Sequence, residues 1–282
     1  MPLDIIVVDA FTDRPFGGNP AAVCILPQAM PDAWMQSVAA EMKHAETAFV
    51  SPGNGRWDLR WFTPTTEVEL CGHATLAAAH TLWESGRVAA TTAIDFVTQS
   101  GVLTCRASSA PDGERRILMD FPADPPAQQP LPTTLAESIG AAVRWSGKGR
   151  FDWLLELSDA ATVRELEPDL NSIAALSARG VIVTARSADP GFDFVSRFFA
   201  PGVGVPEDPV TGSAHCCLAP FWSERLGRDQ LVGRQVSGRG GEVGVRLLAD
   251  RVELSGTAVT ILHGRLSTAV ERLAEECDRG RS

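Results

Sequence analysis

Residues 60–80 read Arg60-Trp61-Phe62-Thr63-Pro64, then Thr65-Thr66-Glu67-Val68-Glu69-Leu70, then Cys71-Gly72-His73-Ala74-Thr75-Leu76-Ala77-Ala78-Ala79-His80. An Arg-aromatic strand is followed by an acidic loop, a glycine and a run of small apolar residues. The same order recurs. Arg197-Phe198-Phe199-Ala200-Pro201 is followed by GVGVPEDPV at 202–210 and by TGSAHCCLAPFW at 211–222. Placing Gly72 on Gly212 also aligns Ala74 with Ala214, Ala79 with Ala219 and Glu84 with Glu224. The glycines lie 140 positions apart and the Arg-aromatic motifs 137. Two blocks in one order at nearly one offset indicate a duplication. The period is far longer than the roughly 20–50 residues of a solenoid repeat, so it predicts two similar domains.

Working outward, each half reads as short strands with one helix. IIVVDAF, AAVCIL, TAFVSP, WDLRWF, AIDFVTQSG, GVLTCRAS and RRILMDFP are β-like runs bounded by Gly, Pro and Asp. The second half offers WLLELSD, GVIVTARS, FDFVSRFF, QVSGRGGEVGVRLL and RVELSGTAVTILHGRL, the last two resembling a hairpin. Helices are predicted at 31–44, 73–85, 133–142, 169–179, 212–226 and 268–278. Positions 74–79 and 214–219 are nearly all small or apolar, and a helix apolar all round is buried all round. Each half is therefore expected to be a curved sheet wrapped around a central helix. The proline-rich segment 122–132 is the linker candidate. The boundaries that follow are 1–122, joined by a C-terminal helix within 268–282, and 123–267.

Composition narrows the function. A net charge of −10 over 282 residues argues against a nucleic-acid binder, whose affinity rests on Lys and Arg neutralising phosphate. No apolar run is long enough for a membrane span. Asp4 stands where a signal peptide needs a basic region, which predicts a cytoplasmic protein. Cys24, Cys71, Cys105, Cys216, Cys217 and Cys277 show no C-x-x-C spacing and read as reduced thiols. Cys71 and His73 alone do not make a zinc set, and no metal is expected. No G-x-G-x-x-G follows a strand and no phosphate-binding loop is present, so no cofactor is expected. The glycines of SGRGGEVG at 237–244 read as a hairpin turn.

Gly72 and Gly212 each open a helix, where free N–H groups and the helix dipole favour an anion such as a small carboxylate. The same glycines would also serve merely to start buried helices. From its residues alone Glu46 is either a solvated turn residue or a proton carrier whose carboxyl is partly desolvated. Asp208, four residues before Gly212, is either a turn residue or a site carboxylate. Cys71 is either a core thiol or an acid/base made more acidic by the helix start.

Four segments together resemble the phenazine-biosynthesis isomerase (PhzF-like) family: VDAFTDRPFGGNPAAV at 8–23, HAETAFV at 44–50, the 60–80 block and PEDPVTGSAHCCLAPFW at 206–222. The match spans most of the chain in the family's order. It implies an α+β fold like that of diaminopimelate epimerase: two pseudo-symmetric halves, each a mixed sheet around a central helix, with the active site between. It implies an isomerase acting on a small carboxylate, a homodimer, and Glu46 as the acid/base. Asp208, His73, Ser213 and Asn19 would line the site, with Pro20 beside Asn19. Racemases of this fold place a cysteine before each paired glycine. Here Cys71 is matched by Thr211, too weak an acid for that work, which disfavours a two-thiol racemase. A racemase, epimerase or dehydratase using Cys71 alone stays open, as does a non-catalytic binding protein.

Overall fold

A computed structural model of the chain describes residues 3–109, 115–271 and 273. The chain divides into two compact units. The first takes the described parts of Met1–Phe16, Pro20–Met119 and Gly256–Ser282, and the second takes Gly17–Asn19 and Asp120–Ser255. The elements in chain order are β1 (Asp4–Ala10), β2 (Asn19–Ile25), α1 (Asp32–Met42), β3 (Thr47–Pro52), β4 (Trp57–Phe62), β5 (Glu67–Val68), α2 (Gly72–Glu84), β6 (Ile94–Thr98), β7 (Gly101–Ser109) and β8 (Arg115–Pro122). They continue with β9 (Ala127–Gln128), α3 (Thr133–Ile139), β10 (Val143–Lys148), β11 (Asp152–Leu157), α4 (Ala160–Glu165), α5 (Leu170–Ala174), β12 (Gly180–Arg186), β13 (Phe194–Phe199), α6 (Gly212–Leu226), β14 (Gln230–Gln235), β15 (Gly241–Leu248), β16 (Arg251–Gly256) and β17 (Ala258–Arg265).

Strand pairing repeats between the units. In the first, β2 runs parallel to β3, β3 antiparallel to β4, β4 parallel to β6, and β6 and β7 antiparallel to β7 and β8. In the second, β11 is parallel to β12, β12 antiparallel to β13, β13 parallel to β14, and β14 and β15 antiparallel to β15 and β16. Both sheets are mixed, and the fold class is the expected α+β duplication.

Each sheet buries one central helix. Ala74, Ala77, Ala78 and Ala79 of α2 are wholly buried, and the helix packs on β1, β3 and β17. Leu218 and Ala219 of α6 are equally buried, and that helix packs on β14 and β15. Pro220 within α6 has no N–H to offer the Cys216 carbonyl one turn back. The Asp124 N–H takes that carbonyl instead at 3.1 Å. The other sheet faces carry outer helices. In the first unit Trp34, Met35 and Val38 of α1 cover Cys24, Phe49 and Phe62. In the second, Leu135, Val163 and Ile173 of α3, α4 and α5 cover Leu155, Val181 and Val183.

Several expectations are corrected. The proline-rich segment is no free linker: β9 pairs with β10, and the Ala123 and Asp124 N–H groups donate to Asp250 and Cys216. The second unit ends at Ser255 rather than at 267, because β17 pairs with β1 over its length. It also claims Gly17–Asn19, where Gly18 N–H donates to Gly240 O at 2.7 Å. RVELSGTAVTILHGRL is two strands, β16 and β17, while SGRGGEVG does turn between β14 and β15. The helix expected at 133–142 stops at Ile139, because Gly140 adopts φ +64°. The one expected at 169–179 is the short α5, and α4 and β10 were not anticipated. Of the helix expected at 268–278, residues 268–271 and 273 are helical; the rest, with Cys277, lies outside the described residues. No described helix is long and apolar enough to cross a membrane.

Candidate functional site

In the first unit, Glu46 lies directly before β3 and His73 is the second residue of α2. The His73 ring is 6% exposed and the Glu46 side chain 17%, with Nε2 and Oε2 3.2 Å apart. Burial pushes the imidazole down to about 3, helped by the nearby charge of His44. The pair is therefore a carboxyl group against a neutral ring rather than an ion pair. Cys71 caps the helix in extended conformation (φ −146°, ψ 110°) without a side-chain capping bond. Its carbonyl accepts the Thr75 hydroxyl at 2.6 Å and the Thr75 N–H at 3.1 Å. Its Sγ lies 3.5 Å from His73 Nδ1 and 4.0 Å from Nε2.

Glu46, Cys71 and His73 offer three metal-ligating atoms within 4.8 Å of one another. The sulfur, 3.5 Å from Nδ1 and 4.0 Å from Nε2, stands beside the ring and off the axis of both nitrogens, so the three groups do not converge on one point as a metal cage needs. A separate cavity of about 310 Å³ in this unit is lined by Leu26, Met30, Met35, Phe49 and Arg60, and none of the three site residues borders it.

In the second unit, Asp208 holds the loop before α6. Its carboxylate accepts from Asn19 Nδ2 at 2.8 Å and from the Thr211 hydroxyl. Asn19 Nδ2 also donates to Val210 O at 2.9 Å. Gln235, fully buried, donates to Asp208 O at 2.7 Å and accepts the Thr211 N–H at 2.9 Å. Burial raises the Asp208 carboxyl to about 6, against the opposing pull of its bonds to Thr211 and Asn19 and of the Arg179 charge. At the helix start, Ser213 Oγ accepts from Arg179 Nη2 at 2.9 Å. Arg179 also grips buried Asp152 with Nε and Nη2 and lies over the rings of Phe151 and Phe198.

The structure thus groups Glu46, Cys71, Gly72 and His73 in one unit, and Asn19, Asp208, Gly212 and Ser213 in the other. The two sets are not equivalent. Thr47 pairs with Phe62, as Val181 pairs with Phe199, so the counterpart of Glu46 is Gly180. A Cβ there would come within 2.6 Å of the Phe198 ring and 2.7 Å of Phe199 O. No carboxylate is possible at that place. Sequence reasoning missed Arg179, Asp152 and Gln235, which carry no local motif; Thr211 it noted only as the residue in Cys71's place.

The phenazine biosynthesis-like protein (PhzC-PhzF) family model matches residues 8–264. The chain belongs to that family. An uncharacterized isomerase of Halalkalibacterium halodurans is 48% identical, covering 94% of this chain and 99% of the relative. The crystal structure of a PhzF-family phenazine biosynthesis protein from Enterococcus faecalis matches with a TM-score of 0.89 at 39% identity, over 95% of this chain and all of that one. At the level of fold alone, a probable proline racemase from Agrobacterium radiobacter matches with a TM-score of 0.62 at 11% identity, covering 94% and 93%. In the terms of the PhzC-PhzF family, this chain has a one-sided set of acid/base candidates: Glu46 and Cys71 have as counterparts a glycine and a threonine committed to Asp208.

Proposed function

We propose that this PhzC-PhzF protein is a cofactor-independent isomerase that moves a proton on a small carboxylate substrate, with Glu46 as the acid/base. The observation that carries the reading is the Glu46–His73 contact of 3.2 Å at the start of α2. A neutral imidazole beside the carboxyl group neither pairs with its charge nor competes for its proton. The N–H groups of Gly72 and His73 stand in the first turn of α2, where helix N–H groups point out of the helix end. They are suited to an anionic group of the substrate, with the helix dipole in support. Glu46 would take the proton from carbon and return it elsewhere on the same molecule. Asp208, its carboxyl near 6, is the proposed second site carboxylate, with Asn19, Gly212 and Ser213 as its substrate-binding neighbours. The isomerase names of the relatives support the reaction class. A homodimer, implied by the family resemblance, belongs to the same proposal.

The test is deuterium incorporation in D₂O across a panel of small unsaturated, 2-hydroxy and 2-amino carboxylates, followed by proton NMR. The wild type should label at least one of them at carbon. Glu46→Gln should keep the fold and lose turnover about 10²–10⁴-fold, the usual worth of general acid/base catalysis. Near wild-type labelling by Glu46→Gln would remove Glu46 from the chemistry. Loss of labelling in Cys71→Ser, with Glu46→Gln active, would move the reaction to the single-thiol alternative. Ligand-induced stabilisation without labelling of any compound would support a binding protein.

A further inference from the structure

In both units the turn that enters a buried strand sets a charged side chain against the second residue of the central helix. In the first, Glu46 before β3 reaches His73 of α2 at 3.2 Å. In the second, Arg179 before β12 reaches Ser213 of α6 at 2.9 Å. By strand register Arg179 is the counterpart of Ala45, one position before that of Glu46. The sign is opposite: a carboxyl group at one helix start, a guanidinium at the other.

Arg179 is held from several sides. Its backbone N–H donates to Phe151 O at 3.0 Å. Nε donates to Asp152 Oδ1 at 2.9 Å, and Nη2 donates to Oδ2. The guanidinium carbon lies 5.2 and 5.4 Å from the ring centres of Phe151 and Phe198. The second hydrogen of Nη2 goes to Ser213 Oγ. A buried ion pair such as Arg179 with Asp152 is often no more stable than apolar residues of the same volume, so stability alone does not call for it. What the pair does fix is the direction of one hydroxyl. A serine oxygen has two lone pairs and one hydrogen. A cationic N–H on a lone pair turns the hydrogen away and polarises it, which makes the hydroxyl a stronger donor. Among the described residues no protein acceptor takes that hydrogen.

We infer that Arg179, clamped by Asp152, is a positioning residue: it occupies the Ser213 oxygen and so reserves the Ser213 O–H for an oxygen of a carboxylate ligand. This rests on the substrate-binding role proposed for Ser213. It gives the two helix starts separate tasks, with the proton carrier at α2 and a dedicated donor at α6.

The experiment is a double-mutant cycle read by binding, with acetate and glycolate as probes. Each is titrated into the ¹⁵N-labelled full chain at pH 7, and the amide resonances of Gly212 and Ser213 are followed. The wild type should show a saturable shift at both. Ser213→Ala should weaken the probes about tenfold, the worth of a hydrogen bond to a charged group. Arg179→Lys keeps the charge and a partner for Asp152 but loses the fork that spans Asp152 and Ser213. It should weaken the probes several-fold when Ser213 is present and less than twofold in the Ser213→Ala background, because the two residues act through one hydroxyl. If Arg179→Lys does not fold, Arg179→Gln with Asp152→Asn removes the same bond without leaving a buried charge, and the same cycle applies.

A merely structural Arg179 would weaken binding equally with and without the Ser213 hydroxyl, and equal losses in both backgrounds would overturn the inference. So would a wild type in which neither probe shifts Gly212 or Ser213. No turnover is needed, so the outcome is separable from the labelling result. Coupled losses in a protein that labels no carboxylate would keep the inference and sink the proposed reaction, and independent losses in an active isomerase would do the reverse.

Discussion

At the scale of the residue, the protein holds ionisable groups where their charge is penalised, and acid stability should report it. His73 and His215 have values near 3 and 4, below the ordinary 6.5 because both are buried. The unfolded chain then binds more protons, and stability falls as pH drops below about 6.5. Asp208 runs the other way. Its folded value near 6 exceeds the ordinary 3.8, so its contribution is fully present below about pH 4 and is lost as pH rises through 6. Between pH 4 and 6, two imidazoles against one carboxyl leave a net loss of stability on acidification from these groups, on the order of 1 kcal/mol per pH unit. Asp208→Asn removes the opposing group and should make the loss steeper, by a further amount on the order of 1 kcal/mol per unit. Urea unfolding of both proteins at pH 4.5 and 6 reads the difference directly. A variant-minus-wild-type gap that does not change with pH would place the Asp208 carboxyl in its ordinary range. Residue identity was legible where the motif was local: Glu46 before its strand, His73 beside Gly72. The partners that set these groups were not. Gln235 reaches Thr211 across 24 positions and Arg179 reaches Ser213 across 34, and no pattern in the sequence links either pair.

At the scale of the element, the two central helices were the most legible part of the fold, because burial on every side leaves an all-small composition that a surface helix never needs. The same packing makes them intolerant of added volume. Ala78 is completely buried in α2. Ala78→Leu should cost ~1–3 kcal/mol through overpacking, or more where neither helix nor sheet can yield. Chemical denaturation of the variant measures it, and a loss below a few tenths of a kcal/mol would mean that the sheet does not close on the helix. Strands with ambiguous composition were less legible. β10, VRWSGK, alternates poorly and carries a glycine, and its place is set by pairing with β9 and β11. The 122–132 segment looked like a linker because proline dominates it. Its tie to Cys216 arises from Pro220, a residue almost 100 positions away whose missing N–H frees the carbonyl.

At the scale of the whole molecule, the duplication was legible as a repeat in the sequence, whereas the path of the chain through it was not. Short runs cross over: Gly17–Asn19 belongs with the second unit, and the stretch from Gly256 returns to the first. Register between β17 and β1 runs from Asp4 opposite Arg265 to Ala10 opposite Ala258, with one irregularity at Val7/Val8. A chain ending at Ser255 should therefore keep the pairing of β10 to β16 but lose protection at β1. Amide hydrogen exchange tests this, with fast exchange confined to the first unit as the expected result. Protection of β1 equal to that in the full chain would show that β17 is dispensable.

That returning strand also orders events in time. A ribosome adding about 5–20 residues per second needs on the order of ten seconds or more to go from β1 to β17. Throughout that interval the first unit, although begun first, lacks its last strand, and by its end everything that builds the second unit has been made. The half nearer the C-terminus can thus finish first, and the N-terminal half waits with one flank of β1 unpaired. An open strand flank invites pairing with other nascent chains. That open flank lasts until β17 has been made, and slowing translation between Gly256 and Arg265 would lengthen it.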